Sequence, residues 1–317
     1  MEFVRSFSEG EVGVGITLPV QAQTTLAAEP WEREAGAAEI LRIARAVDRL
    51  GFFSVSASDH AAIPRSRIAA MSSTWYDPVA VLALVAGATE RVHLFTRALI
   101  LPFRSPLLSA KAASTLDAIS GGRLVLGVGA GHLEEEFEAL GVDFAARGTL
   151  LNEAIDVVEA ILREEFPDID TPSWSVHDLG FGPRPARKPR PPIWVGGSTH
   201  PALRRAAERG DGWFPQVADR ERYAADVAYL REHRERHHPG VPVELGASTE
   251  PIHVGEATWD LGPNTISGPP DRIAGSLREL VAMGAQHLQL RLRSRSCDEL
   301  EDQLEAFAAE VMPGLTN

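Results

Sequence analysis

Short apolar runs alternate with stretches of helical periodicity roughly eight times along the chain, and no shift of composition interrupts them. Such alternation predicts strands joined by crossover helices, and so a parallel sheet. Parallel strands covered on both faces read as continuous apolar runs, as Leu124-Val-Leu-Gly-Val128 does. The 317-residue length suits a (β/α)8 TIM barrel, a single domain over residues 1–317 with an insertion at about 167–192. A doubly wound open sheet is the alternative.

The individual elements follow from local pattern. Residues 12–18 read as the first strand. Residues 37–50 place Ile40, Leu41, Ala44, Val47 and Leu50 on one helical stripe, and Gly51 ends it. Residues 52–58 form a second strand that delivers Asp59 and His60 to its C-terminal end. Residues 61–76 read as a loop. Residues 79–88 are apolar all round, so a helix there needs burial on more than one side. A third strand at 92–98 and a helix at 107–119 follow. The stretch 167–192 holds seven prolines and little periodicity, which predicts an ordered excursion stiffened by proline, with Trp174, Leu179 and Phe181 able to pack.

Composition excludes several classes of function. The formal charge of −13 argues against a nucleic-acid partner and against an anionic membrane surface. The longest fully apolar run, residues 79–88, is too short to span a bilayer. Cys297 is the only cysteine, so no internal disulfide forms, and a cytoplasmic location is expected. Nothing at the N-terminus reads as a signal peptide.

In a barrel of this kind, functional residues sit at the C-terminal ends of the strands. Three such ends stand out. The first carries Asp59-His60. A histidine there suits a general acid or base, because its ordinary pKa lies near neutrality, although an ordinary loop pair is the simpler alternative. The second is Gly127-Val-Gly-Ala-Gly-His132, which reads either as a tight strand-to-helix corner or as backbone opened to a ligand. Its G-x-G-x-G spacing is not the dinucleotide fingerprint. The third is Gly196-Gly-Ser-Thr199 at a helix start, where free N–H groups suit a phosphate, or where Thr199 is only an N-cap. His93, His233, His237 and His238 read as packing or surface residues, and no cluster has metal-ligand spacing.

Taken in order, these pieces resemble the bacterial luciferase-like family, whose members use a flavin or the deazaflavin coenzyme F420. The resemblance rests on Ser58-Asp-His60, residues 96–106, and Leu116-Asp-Ala-Ile-Ser-Gly-Gly-Arg-Leu-Val-Leu-Gly-Val-Gly-Ala-Gly131. It rests further on Glu135-Glu-Phe-Glu-Ala-Leu-Gly141, Arg147-Gly148 with Glu153-Ala-Ile155, Pro191-Pro-Ile-Trp-Val-Gly-Gly-Ser198, and Arg204-Arg-Ala-Ala-Glu-Arg-Gly-Asp-Gly-Trp-Phe214. It implies a luciferase-like barrel and a homodimer formed through helices 2 and 3. It implies a catalytic His60 and a cofactor held by Asp59, Arg97, Ala98, Gly129, Ala130, Gly131, Gly196, Gly197 and Ser198. Arg97-Ala98 would be a bulge behind the cofactor ring, often with a cis peptide in deazaflavin users. Trp75 and His132 are the candidate substrate-binding residues.

The expected activity is hydride transfer between F420 and a small organic substrate. The alternatives are an FMN-dependent monooxygenase and a non-catalytic flavin-binding protein. Arg184, Arg187, Lys188 and Arg190 either meet the acidic tail that F420 has and FMN lacks, or form a solvated basic loop.

Overall fold

The computed structural model describes residues 2–8, 10–25 and 27–315. Residues 1, 316 and 317 of the expected domain, with positions 9 and 26, lie outside the described residues. Eight strand–helix units follow one another: β1 (Gly13–Thr17) with α1 (Ala37–Leu50), β2 (Ser54–Ala57) with α2 (Pro78–Ala86), and β3 (His93–Thr96) with α3 (Pro106–Ile119). Next come β4 (Leu124–Gly129) with α4 (Arg147–Arg163), β5 (Ile193–Gly196) with α5 (His200–Arg209), and β6 (Gly212–Phe214) with α6 (Arg220–His237). The last are β7 (Glu244–Ser248) with α7 (Pro270–Ala282), and β8 (His287–Leu290) with α8 (Cys297–Ala306). Every neighbouring pair is parallel. The sheet closes where β1 meets β8 at Gly13↔His287, which excludes an open sheet. The stretch read as a loop at 61–76 contains two short helical turns, at Arg65–Arg67 and Ile68–Met71.

Successive side chains of a strand point to opposite faces, and here they enter two separate cores. Outward residues such as Val14, Val55, Leu94, Leu126, Val195 and Leu288 pack under the helices. Inward residues form a second cluster of Phe7, Phe95, Val125, Trp194 and Phe214 that fills the lumen. Rings this large fit because facing strands carry glycine. A Cβ on Gly127 would lie 2.5 Å from Phe95 Cε2, and one on Gly196 2.6 Å from the Phe214 ring. Glycine at 212 likewise leaves room for the Trp194 indole. The space beside the α-carbons of glycines 127 and 196 is therefore filled by protein rings.

The N-terminal ends of the strands are stitched by buried carboxylates. Asp211 accepts hydrogen bonds from the Ile193 and Val4 N–H groups and pairs with Arg190 at 2.5 Å. Glu244 accepts from the Ser6 and Phe7 N–H groups and so docks Phe7 as the plug of that end. Asp117 holds the Leu124 and Arg187 N–H groups, and Arg123 donates to the carbonyls of Ala86, Thr89 and Val92. Conservation of fold, not chemistry, is the role of this face.

The proline-rich insertion joins α4 to β5, so it lies on this same face. It contains a small antiparallel hairpin, Ile169–Asp170 with Ser175–Val176. Trp174 and Phe181 pack on the main core as expected, but Leu179 is exposed. The expectation for Arg184, Arg187, Lys188 and Arg190 is overturned here, because these side chains are used locally. Arg190 is fully buried on Asp211 and Glu159. Arg184 caps the carbonyls of Ile161, Leu162 and Glu164 at the end of α4. Arg187 donates to the Arg5 carbonyl and Lys188 to that of Pro185. No helix among the described residues is long and apolar enough to cross a membrane.

The lumen packing gives a direct test. Gly127→Ala forces a methyl group against the Thr96 carbonyl and the Phe95 ring. It should destabilise the protein by about 1–3 kcal/mol, read as a lower urea midpoint at unchanged m-value.

Candidate active site

The C-terminal end of the barrel gathers residues from several strand ends. Asp59 follows β2 and is 4% exposed. Its carboxylate accepts from the Ile100 N–H at 2.9 Å and grips Arg104 at 2.8 Å. Those contacts fall on Oδ2; Arg104 Nη2 donates to Oδ1 at 3.1 Å, so both oxygens are engaged within the protein. These contacts fix the loop after β3, beside the place expected for the cofactor.

His60 points the other way. Its Nδ1 lies 2.8 Å from Glu136 Oε2, and the Ala61 and Ala62 N–H groups donate to Glu136 Oε1. Glu136 lies on the short helix Glu134–Leu140, on its inner face beside Phe137, while Glu134 and Glu135 face out. Burial alone would push its carboxyl up. The His60 hydrogen bond and the two N–H donors outweigh burial and hold it below the ordinary value of 4.5. An ionised Glu136 places the proton on Nδ1, so the neutral ring presents Nε2 as an acceptor. The hydrogen bond of the His60 ring to the described residues is made at Nδ1, which leaves Nε2 over. The Trp75 ring packs edge-on against His60 at 4.4 Å, and the His132 ring does so at 5.2 Å. Thus His60, Trp75 and His132 form one cluster. Sequence reasoning gave Glu136 no role; its place beside the inward Phe137 was the available signal.

The loop after β3 lies next to this cluster. Arg97-Ala98 is joined by a cis peptide, and Ala98 presses on the glycine loop, since a Cβ on Gly129 would lie 3.0 Å from Ala98 Cβ. Gly131 needs its glycine, having φ +78 and the Phe137 ring against its α-carbon. The Arg97 side chain turns into the lumen mouth, donates to the Pro215 carbonyl at 2.9 Å and to Ser248 Oγ at 2.6 Å, and lies over the Phe214 ring. Close by, Gln289 donates to Thr17 Oγ1, while its buried Oε1 has no protein partner among the described residues.

Across the mouth, the Gly197 N–H is taken by the Phe214 carbonyl. Thr199 is the N-cap residue of α5, but its side chain makes no capping hydrogen bond, which leaves first-turn N–H groups of α5 without a side-chain acceptor. Arg222 donates to the Ser198 carbonyl, bringing a guanidinium beside that helix start. Sequence reasoning missed Arg222, because only the fold brings α6 next to the start of α5. No group of three or more potential metal ligands occurs among the described residues.

A depressed pKa at Glu136 means that its contribution to stability is complete above about pH 4.5 and is lost as pH falls through the lower folded-state value. Glu136→Gln should cost about 1–3 kcal/mol at neutral pH. In thermal melts the gap between variant and wild type should close as the pH drops below about 4.5.

Comparison with known proteins gives a consistent picture. The sequence model of a family described as luciferase-like monooxygenase matches residues 12–258. An uncharacterized protein of Mycobacterium tuberculosis is 34% identical over 166 residues, 52% of this chain and 57% of its own length. That match therefore spans little more than half of the relative. An F420-dependent glucose-6-phosphate dehydrogenase of Intrasporangium calvum is 26% identical, covering 84% of this chain and 92% of its own. The crystal structure of monooxygenase RslO1 from Streptomyces bottropensis superposes with a TM-score of 0.79 at 22% identity, covering 95% of this chain and 99% of that one, which supports the fold.

Proposed function

From the premise that this chain belongs to the luciferase-like monooxygenase family, we propose that it is an oxidoreductase that moves a hydride between coenzyme F420 and a small organic substrate. In this reading the whole chain works as one barrel domain, with the 167–192 insertion away from the site. The observation that carries it is the His60–Glu136 pair at the barrel mouth. Oxidising an alcohol carbon releases a proton along with the hydride, and reducing a carbonyl takes one up. His60 receives or returns that proton at Nε2, while Glu136 fixes the tautomer and steadies the protonated ring. Trp75 and His132 bound the substrate side of His60.

The residues present fit a ring-and-phosphate cofactor. Ala98, backed by the Gly129 loop, offers a wall for a ring. The orphan Gln289 Oε1 can accept a ring N–H. The uncapped start of α5, with Ser198 and Arg222 beside it, suits a phosphate. A bound deazaflavin supplies two-electron hydride chemistry and does not readily activate oxygen. The relative aligned over most of both lengths is F420-dependent, which supports this cofactor.

FMN-dependent monooxygenation is the second reading, favoured by one observation: the basic residues at 184–190 lie at the opposite end of the barrel and offer nothing to an acidic tail. The intact His60–Glu136 pair argues against a purely flavin-binding role. Titration of the apoprotein decides between the cofactors. We expect F420 to bind at least about tenfold more tightly than FMN, and the reduced complex not to consume oxygen. Tighter FMN binding with substrate-dependent oxygen uptake would establish the monooxygenase instead. His60→Ala should leave cofactor affinity within a few fold and slow turnover by roughly 10²–10⁴.

We propose also that the protein is a homodimer through α2 and α3. The outer face of α2 carries Leu84 at 44% exposure, and α3 carries Leu108 at 68% and Ile119 at 60%. Exposed leucines and isoleucine on adjacent helices form the kind of patch that a partner covers. Light scattering should give twice the chain mass for wild type, and the monomer for Leu84→Glu with Leu108→Glu.

A further inference from the structure

Arg97 is a guanidinium turned into the barrel mouth that has no carboxylate partner among the described residues. Burial is what acts on it, pushing its pKa down to about 10, so it remains cationic at neutral pH. No described carboxylate pairs with it. Its Nη2 is clamped by the Pro215 carbonyl and Ser248 Oγ, and the Phe214 ring lies beneath its central carbon at 5.0 Å. Its Nε is buried without a partner, and its Nη1 makes no hydrogen bond with the described residues. The imidazole of His287, deeper in the lumen, is pushed down to about 3 by burial and by Arg97, so it is neutral and supplies no counter-charge.

Arg205 is likewise held by neutral oxygens, those of Asn152 and the Gly148 carbonyl, but between α4 and α5 rather than at the mouth, and two other guanidiniums are answered more fully. Arg190 has Asp211 and Glu159. Arg123 spreads its charge over the carbonyls of Ala86, Thr89 and Val92 at the end of α2. A half-buried cation held in one orientation, with donors left over and no anion of its own, is ready for an anionic ligand to complete. A planar fork of this kind matches the oxygens of a carboxylate or of an enolate-like ring.

We propose that Arg97 is an anion-binding residue of the active site, aimed by Ser248, Pro215 and Phe214 at an anionic oxygen of the bound ligand. The oxygen belongs either to a carboxylate-bearing substrate or to the reduced, anionic form of the cofactor. This deepens the reading of the barrel mouth as the ligand site and rests on it. It also gives a reason for an arginine at the bulge: the charge selects acidic substrates, or favours the reduced cofactor.

The test uses the full chain as wild type, Arg97→Met and Arg97→Lys. The apoprotein is titrated with acetate and with inorganic phosphate at constant ionic strength, followed by thermal shift. Oxidised and reduced F420 and FMN are then titrated separately. In wild type, either acetate stabilises the apoprotein, the sign of a substrate carboxylate, or the reduced cofactor binds tighter than the oxidised one, the sign of a cofactor anion. The preference should be about tenfold or more, and Arg97→Met should abolish it while Arg97→Lys retains part. Without ligand, Arg97→Met should melt no lower than wild type, because it removes an unanswered charge. Should Arg97→Met fail to fold, loss of the preference is read from Arg97→Lys, which keeps the charge but not the fork.

The proposal is overturned if neither anions nor the reduced cofactor distinguish wild type from the variants. It is also overturned if Arg97→Met melts well below wild type and binds every ligand as wild type does, since Arg97 would then be a packing residue. If no cofactor binds wild type at all, the reading of the mouth fails; if a cofactor binds but charge makes no difference, only the role of Arg97 fails.

Discussion

The lumen of this barrel depends on rings meeting glycines. Phe95, Trp194 and Phe214 reach inward from β3, β5 and β6, and each is accommodated because a neighbouring strand offers hydrogen where a side chain would stand. Close packing of this kind is intolerant of added volume, so the rings and the glycines specify each other. The interlock also sets the floor of the site. Phe214 carries Arg97 above it, and Gly129 lets Ala98 settle against β4. The mouth is held at fixed height by the same contacts that fill the core.

Charge is distributed between the two ends by opposite rules. At the N-terminal end every buried acid has work within the fold: Asp211 and Glu244 hold strand starts and the N-terminal plug, and Asp117 ties β4 to the insertion. At the C-terminal end Asp59 and Glu136 are likewise fixed, and what they fix is the mouth of the barrel. Asp59 anchors the loop that carries the bulge, and Glu136 orients His60 so that one ring nitrogen is left over. Unfilled donors and acceptors are costly in a folded interior. Arg97 and Gln289, at the mouth, are among the residues that keep a buried polar atom without a partner, and a ligand there could answer them.

Much of this was legible in the sequence. The strand–helix alternation, the apolar run of β4 and the placement of Asp59-His60 at a strand end follow from periodicity, because side-chain spacing alone fixes which residues share a face. The motif pieces located the ends of β4 and β5 in the same way. What periodicity could not tell was which end of the barrel a given charge serves, or which partner it meets. Asp117, Arg123 and Asp211 lie inside the motifs that carry the family resemblance, yet they stitch the far face. Arg184 and Arg190 lie close in sequence to the Gly196–Ser198 turn, and crossing the barrel along β5 puts them on the side away from it. Glu136 and Arg222 reach the site only because closure of the sheet brings β2 to β4 across β3, and α6 to the start of α5. Local spacing determined the strands, the helices and the strand ends that bear function; the closed barrel alone decided which distant charges meet there, because ion pairs and hydrogen bonds depend on ångström-scale separation that no one-dimensional pattern records.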